Sequence, residues 1–249
     1  MPNKDSLSSG FVGEDIPSQE SMFSNISEFY RSESGYSCLH LCRRYGKLHI
    51  LKSLQPLFKQ EEFYKQLLHK EFNIGYQLDH PNIRHTIDWE QQEDLGLCIV
   101  MEYVDGISLK EFMIQGKLTQ PLAYKFIREL CEALHYIHSK QLVHKDLKPE
   151  NIIITHNGNN VKLIDFGLSD RDDYDTLKIP AGTKKYLAPE QLLPHASLDC
   201  RTDIYSLGVI IQDITSVIKD RRLVRIAQKC TQKNPDKRFH SAQEVLEAL

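Results

Sequence analysis

The hydrophobic pattern changes character near residues 104–106, and that break limits the folds open to this chain more than any other feature. Before it, apolar residues come in short runs separated by turn-forming residues. Residues 26–52 are interrupted at Ser34-Gly35 and again at Tyr45-Gly46-Lys47, which predicts three antiparallel strands. Residues 61–78 carry Phe63, Leu67, Phe72 and Ile74 at helical spacing, bounded by Pro56 and Pro81. Residues 97–103 form a compact apolar strand. Beyond Asp105-Gly106, helices dominate. Residues 121–138 place Phe126, Leu130, Leu134 and Ile137 on one face. Two short strand-like runs, 152–154 and 161–164, flank an Asn157-Gly158-Asn159 turn. Further helices are expected at 203–218, at 221–232 and from Ser241, where Ser241 and Glu244 have capping-box spacing. The pattern predicts an α+β chain of two lobes with a cleft between them. Residues 25–104 make the first lobe and 105–249 the second, after a polar, aperiodic arm of residues 1–24.

A chain of 249 residues can bury a substantial core across two such lobes. A formal net charge of -3 offers no electrostatic case for binding nucleic acid or an anionic membrane surface. No apolar run approaches the roughly 20 residues of a membrane span, so a cytoplasmic protein is expected. The six cysteines are scattered without a CxxC pair and read as reduced, mostly buried thiols. Cys38, His40, Cys42 and His49 invite a zinc reading, but their spacing suits two sides of a hairpin better than a metal site.

The chemistry lies in a handful of segments. Residues 144–151 read His-Lys-Asp-Leu-Lys-Pro-Glu-Asn, residues 165–167 Asp-Phe-Gly, and residues 188–190 Ala-Pro-Glu. Upstream, Lys52 ends the strand His49-Ile50-Leu51-Lys52, and Glu71 lies in the helix leading to His80-Pro81-Asn82-Ile83. Val100-Met101-Glu102-Tyr103-Val104 precedes the break. Alone, each segment is weak, since a single aspartate of this kind is more often a turn or cap residue. In this order and spacing they resemble the catalytic loop, DFG and APE motifs, V-A-I-K strand and hinge of the protein kinase superfamily, serine/threonine type, in a compact form.

The resemblance covers about residues 26–249 and implies a bilobal protein-kinase-like fold, an antiparallel sheet plus one helix above a mainly helical lobe. It implies ATP as phosphoryl donor, Mg²⁺ (or Mn²⁺) as metal, and a protein substrate offering a Ser or Thr hydroxyl. Asp146 would be the base and Lys148 would meet the γ-phosphate. Asn151 and Asp165 would hold the metal through oxygen. Lys52, paired with Glu71, would hold the α- and β-phosphates. Met101 would be the gatekeeper, the backbone of Glu102 and Val104 would bond the adenine edge, and Leu39, Ile50 and Ile153 would sandwich the ring. Thr183 would bridge Asp146 and Lys148. Asp203 would tie down the catalytic loop, and Arg238 would pair with Glu190. Lys148 and the 182–186 segment both favour Ser/Thr over Tyr.

The chain also departs from that pattern. The family's G-x-G-x-x-G-x-V aligns with residues 32–39, where Ser32, Ser34 and Ser37 replace the glycines and only Gly35 survives between them. Glycine permits positive φ and close approach to phosphate, so weaker ATP binding is expected, and restoring glycine should tighten it. Lys145 replaces the usual Arg, and Ile50 the usual Ala. These departures leave open a second reading, a pseudokinase or nucleotide-binding scaffold without turnover. A small-molecule kinase is a third, opposed by the 182–190 segment. Lys145 cannot form a bidentate fork with phosphate. Ile179 cannot be phosphorylated, and Asp170, Asp172, Asp173 and Asp175 already supply charge. Activity independent of phosphorylation at Tyr174 or Thr176 is therefore expected. Finally, only one helix fits between residues 218 and 234. This predicts a shortened second lobe whose uncovered floor could take a partner or a second copy.

Overall fold

The computed structural model describes residues 23–32, 35–167 and 181–249, with side chains from 184 onward in the last stretch. Ser34, the 170–179 segment and the side chain of Thr183 lie outside the described residues, as does most of the arm.

The first half is a five-stranded antiparallel sheet built from β1 (Ser24–Arg31), β2 (Ser37–Arg44) and β3 (Lys47–Leu54), then β4 (Thr86–Gln92) and β5 (Gly96–Glu102). One helix, α1 (Glu62–Tyr76), is inserted between β3 and β4. Spatial order is β1-β2-β3-β5-β4, so β3 sits centrally with Lys52 opposite Leu39 on one side and Ile99 on the other. Tyr45 and Gly46, both at positive φ, close the β2–β3 hairpin. On one sheet face Ile50, Leu54, Ile99 and Met101 pack with Leu68 of α1. On the other, Cys42, Leu51, Cys98 and Val100 pack beneath Phe23.

The second half opens with β6 (Gly106–Ser108), α2 (Leu109–Ile114) and the long α3 (Gln120–Ser139). A short hairpin of β7 (Ile152–Thr155) and β8 (Val161–Leu163) then joins β6 in a three-stranded sheet. Further along the chain lie α4 (Cys200–Val217), α5 (Arg221–Cys230) and α6 (Ala242–Ala248). Phe126, Leu130, Leu134 and Ile137 all enter the large core with Ile204, Leu207 and Ile211 of α4, as the α3 periodicity requires.

Element identities follow the sequence reading, with three differences. α4 starts at Cys200, earlier than expected, because the Asp199 carboxylate caps it by accepting the Arg201 amide at 2.9 Å. β4 and the β6–α2 pair escaped the sequence reading. The former, Thr-Ile-Asp-Trp-Glu-Gln-Gln, has no apolar run, and α2 is too short to show a period. The capping box at α6 is displaced: Ser241 Oγ accepts the Glu244 amide, but Glu244 Oε2 reaches back to the amide of His240, not Ser241.

The shortened second lobe is as expected. Among the described residues no separate helix lies between α4 and α5. Asp220 caps α5 directly, accepting from the amides of Arg222 and Leu223 at 2.8 and 3.0 Å. Its other oxygen takes Gln120 and Tyr124 of α3, and Arg222 reaches the Ala248 carbonyl, so polar contacts close the gap while Val217 and Val224 remain exposed. α4 and α5 approach so closely that a Cβ on Gly208 would lie 2.4 Å from Cys230 Cβ. Gly208→Ala should therefore destabilise the protein by about 1–3 kcal/mol, visible as a lowered thermal midpoint with an unchanged far-UV spectrum.

Candidate functional site

The site forms where the two halves face each other. β3 delivers Lys52 from above, and the register that buries Ile50 and Leu54 places it toward α1. Lys52 Nζ donates to Glu71 Oε1 at 2.6 Å and to Asp165 Oδ1 at 3.2 Å. Lys52 and Glu71 are buried, whereas the Asp165 side chain is 42% exposed toward the cleft. Burial opposes the charge on Lys52, but the two carboxylates outweigh it and raise the ammonium's pKa. Burial likewise opposes ionisation of Asp165, yet Lys52, Arg84 and the Gly167 amide hold its carboxyl well below the usual range. A Cβ on Gly167 would stand 3.2 Å from Glu71 Oε2 and 3.3 Å from Asp165 Oδ1, so a larger residue would crowd both carboxylates.

Arg84 is a residue the sequence reading passed over. Its amide donates to the Leu163 carbonyl at 2.9 Å, two residues before Asp165, and its guanidinium interacts electrostatically with Asp165, Glu71 and Glu102. It adds a second cation beside a pair of carboxylates, and no motif could have signalled it.

Below the cleft, residues 144–151 form an irregular loop between α3 and β7. The Asp203 carboxylate anchors it, accepting the amides of His144 and Lys145 at 2.8 and 2.9 Å and the ring of His138 at 2.9 Å. Fully buried, Asp203 stays ionised against the cost of desolvation because those donors lower its pKa. Lys145 and Asp165 both hold a positive φ, 66° and 68°, so the loop and the Asp-Phe-Gly turn each carry one left-handed residue. His144 packs against Phe166 in a tilted arrangement with ring centroids 5.1 Å apart, which couples the loop to that turn. The Gln191 amide donates to the Lys145 carbonyl at 2.9 Å while its oxygen takes the Ala188 amide, linking the loop to the Ala-Pro-Glu segment.

Within the loop, Asp146 Oδ2 accepts from Lys148 Nζ at 2.6 Å and from Asn151 Nδ2 at 3.0 Å. Asp146 Oδ1 is buried without a hydrogen-bond partner. Burial pushes the Asp146 carboxyl up from its ordinary value, and Lys148 opposes that rise. An oriented carboxylate with one committed and one uncommitted oxygen can accept a proton from an incoming hydroxyl.

Asn151 spends its amide nitrogen on Asp146, leaving its oxygen as a ligand, and Asp165 offers an ionised carboxylate. Hard oxygen donors of this kind suit Mg²⁺. At the hinge, Met101 is buried opposite Ile50; the Glu102 amide donates to His85 and its carboxylate accepts from Lys162. Leu39 and Ile50 share one apolar cluster, while Ile153 lies on the small sheet against Gly106. Ser32 and Gly35 lie in the β1–β2 connection above, and Ser37 opens β2. Val104 follows β5, where the chain crosses between halves.

Away from the cleft, Arg238 is fully buried and donates five hydrogen bonds. Two go to Glu190, at 2.6 and 2.8 Å, and three to the carbonyls of Arg201, Gln232 and Lys233. The zinc alternative finds little support. Cys38 and His40 do approach Glu28 on one sheet face, but both Glu28 oxygens are taken by Arg31. None of the cysteines is in a disulfide, and burial pushes Cys42 up to about 11 and Cys98 and Cys230 up to about 12, so these three persist as neutral thiols.

Residues 33–220 match the family described as protein kinase domain. Among curated proteins, the chain is 33% identical over 182 residues to "Probable serine/threonine-protein kinase CPE1738" of Clostridium perfringens, covering 71% of this chain. It is 32% identical over 168 residues to the serine/threonine-protein kinase PrkC of Bacillus subtilis, covering 66%. In each case the matched segment spans 26% of the relative's own length. Among solved structures, the Mycobacterium tuberculosis PknI kinase domain superposes with a TM-score of 0.68 at 23% identity, covering 91% of this chain and 95% of that one. That likeness is one of fold.

Proposed function

Since this chain belongs to the protein kinase domain family, we propose that it is an active serine/threonine protein kinase that uses ATP and Mg²⁺. The observation that carries this reading is Asp146, whose buried Oδ1 has no hydrogen-bond partner while Lys148 and Asn151 fix Oδ2. A substrate hydroxyl that reaches the Asp146 carboxylate gives up its proton to it as its oxygen attacks the γ-phosphorus and the bridging bond to ADP breaks. Lys148, bound to Asp146, lies next to the phosphoryl group in transit and offsets its charge. Lys52, fixed by Glu71, orients the α- and β-phosphates. Asp165 and Asn151 would hold Mg²⁺, which, when bound, neutralises phosphate charge and aligns the γ-group, as is general for protein kinases. Most of this catalysis is positioning, which suits a site whose polar groups are already fixed to one another.

Ser/Thr specificity rests on Lys148 and on the Gly182-Thr183 segment, together with relatives whose names state that activity. Among the described residues no helix is long and apolar enough to cross a membrane. Purified protein with ATP and Mg²⁺ or Mn²⁺ is expected to label itself or a basic acceptor protein on Ser or Thr. Nucleotide binding without any labelling would favour the scaffold reading.

A further inference from the structure

We propose that Gln55 is a positioning residue for the nucleotide loop, doing with a side-chain amide what glycines do in the family's usual loop. The proposal rests on the kinase reading, because it concerns how residues 32–37 meet a nucleotide. Gln55 follows β3 directly and lies across from Tyr36, whose carbonyl accepts the Gln55 amide at 2.8 Å. Its side-chain Nε2 then reaches three loop carbonyls at once: Ser32 at 2.7 Å, Gly35 at 3.0 Å and Ser37 at 3.3 Å. Pro56 confines Gln55 to extended backbone (φ -61°, ψ 150°), and the Gln55 carbonyl accepts the Phe58 amide, so the side chain springs from a fixed base.

The loop itself is closed by Ser32, whose Oγ accepts the Gly35 amide at 2.9 Å and whose amide donates to the Ser37 carbonyl at 3.3 Å. Neither Gly35 nor any of Ser32, Tyr36 and Ser37 is among the residues at positive φ. Serine therefore carries no backbone strain at 32 or 37, which accounts for its presence where glycine's freedom was expected. Gly35 matters for a different reason: a Cβ there would lie 2.5 Å from Ser32 Oγ and would push that hydroxyl off the Gly35 amide. With the carbonyls of Ser32, Gly35 and Ser37 gathered on one side-chain amide, both ends of the loop are fixed to the end of β3 before a nucleotide arrives, which lowers the ordering cost of binding. Tyr36, packed on Tyr64 of α1 with centroids 5.4 Å apart, holds the other side of the loop. This reverses the sequence-based expectation for the serines, since glycine at position 32 would remove a bond that closes the loop.

The test compares wild type with Gln55→Glu, which keeps the shape but turns an acceptor toward three carbonyls, and with Gln55→Leu. Binding of a fluorescent ADP analogue, the KM for ATP, kcat, and amide hydrogen exchange across residues 32–38 are measured together. Both variants should bind the analogue about tenfold more weakly and raise KM by a similar factor. At saturating ATP, kcat should stay within about twofold, and exchange should quicken in the loop alone. A purely structural role would instead lower kcat and speed exchange throughout the sheet. Wild-type binding that neither variant changes would overturn the role of Gln55 and leave the kinase reading standing. No adenine-nucleotide binding by wild type, with its loop still protected from exchange, would overturn the kinase reading itself, and this proposal with it.

Discussion

Asp146→Asn should lower phosphoryl transfer by about 10²–10⁴-fold while leaving nucleotide affinity and the melting temperature close to wild type. The substitution preserves shape and the bonds from Lys148 and Asn151 can be kept by the amide oxygen, but the uncommitted position no longer accepts a proton. Asp165→Asn should abolish transfer as well, by a different route. It removes the ionised oxygen donor and the partner of Lys52 at 3.2 Å, so its defect should deepen as Mg²⁺ is lowered. Single-turnover rates measured across a metal titration separate the two. Transfer that persists in both variants would rule out the proposed mechanism. The wild-type rate should also fall on the acid side at a pH above the ordinary aspartate value. Burial raises the Asp146 pKa, and only the anion can act as base, so activity is present above that raised pKa and lost as pH falls through it.

The second large effect belongs to stability. Arg238→Met should destabilise the protein by about 3–5 kcal/mol, because it strands Glu190 and the three carbonyls that Arg238 now satisfies. For a chain of this size that corresponds to a fall of roughly 10 °C in the melting temperature. Pairing it with Glu190→Leu should restore part of the loss, since the uncompensated charge is removed along with its partner. An additive double variant would mean that the carbonyl contacts, not the ion pair, carry the stability.

Much of this was legible in the sequence for a simple reason. Asp146, Lys148 and Asn151 are bonded to one another within one loop, so their relation survives in their spacing. Lys52 and Glu71 lie 19 residues apart, but each is fixed within a regular element, and strand and helix together carry them to 2.6 Å. Arg84 and Gln55 were illegible because their roles depend on where a flexible side chain reaches across the fold. β4 was missed because its neighbours, not its own apolar residues, make it a strand. At the serine loop, spacing reports which residues stand where glycine is usual. It does not report that the backbone at Ser32 and Ser37 has no positive φ.

Glu190 and Gln191 are adjacent, yet they hold segments far apart in sequence: one meets Arg238 near the C-terminus, the other the Lys145 carbonyl beneath the cleft. Because the chain has no slack between them, neither contact can be given up gradually. Sliding the segment by one position would set the neutral Gln191 amide against the buried guanidinium and leave the Lys145 carbonyl facing Leu192. The segment therefore behaves as a latch with a single closed position. Cooperative opening follows: amides near residue 145 and near residue 238 should lose protection together, at one shared free energy, although they lie far apart in sequence.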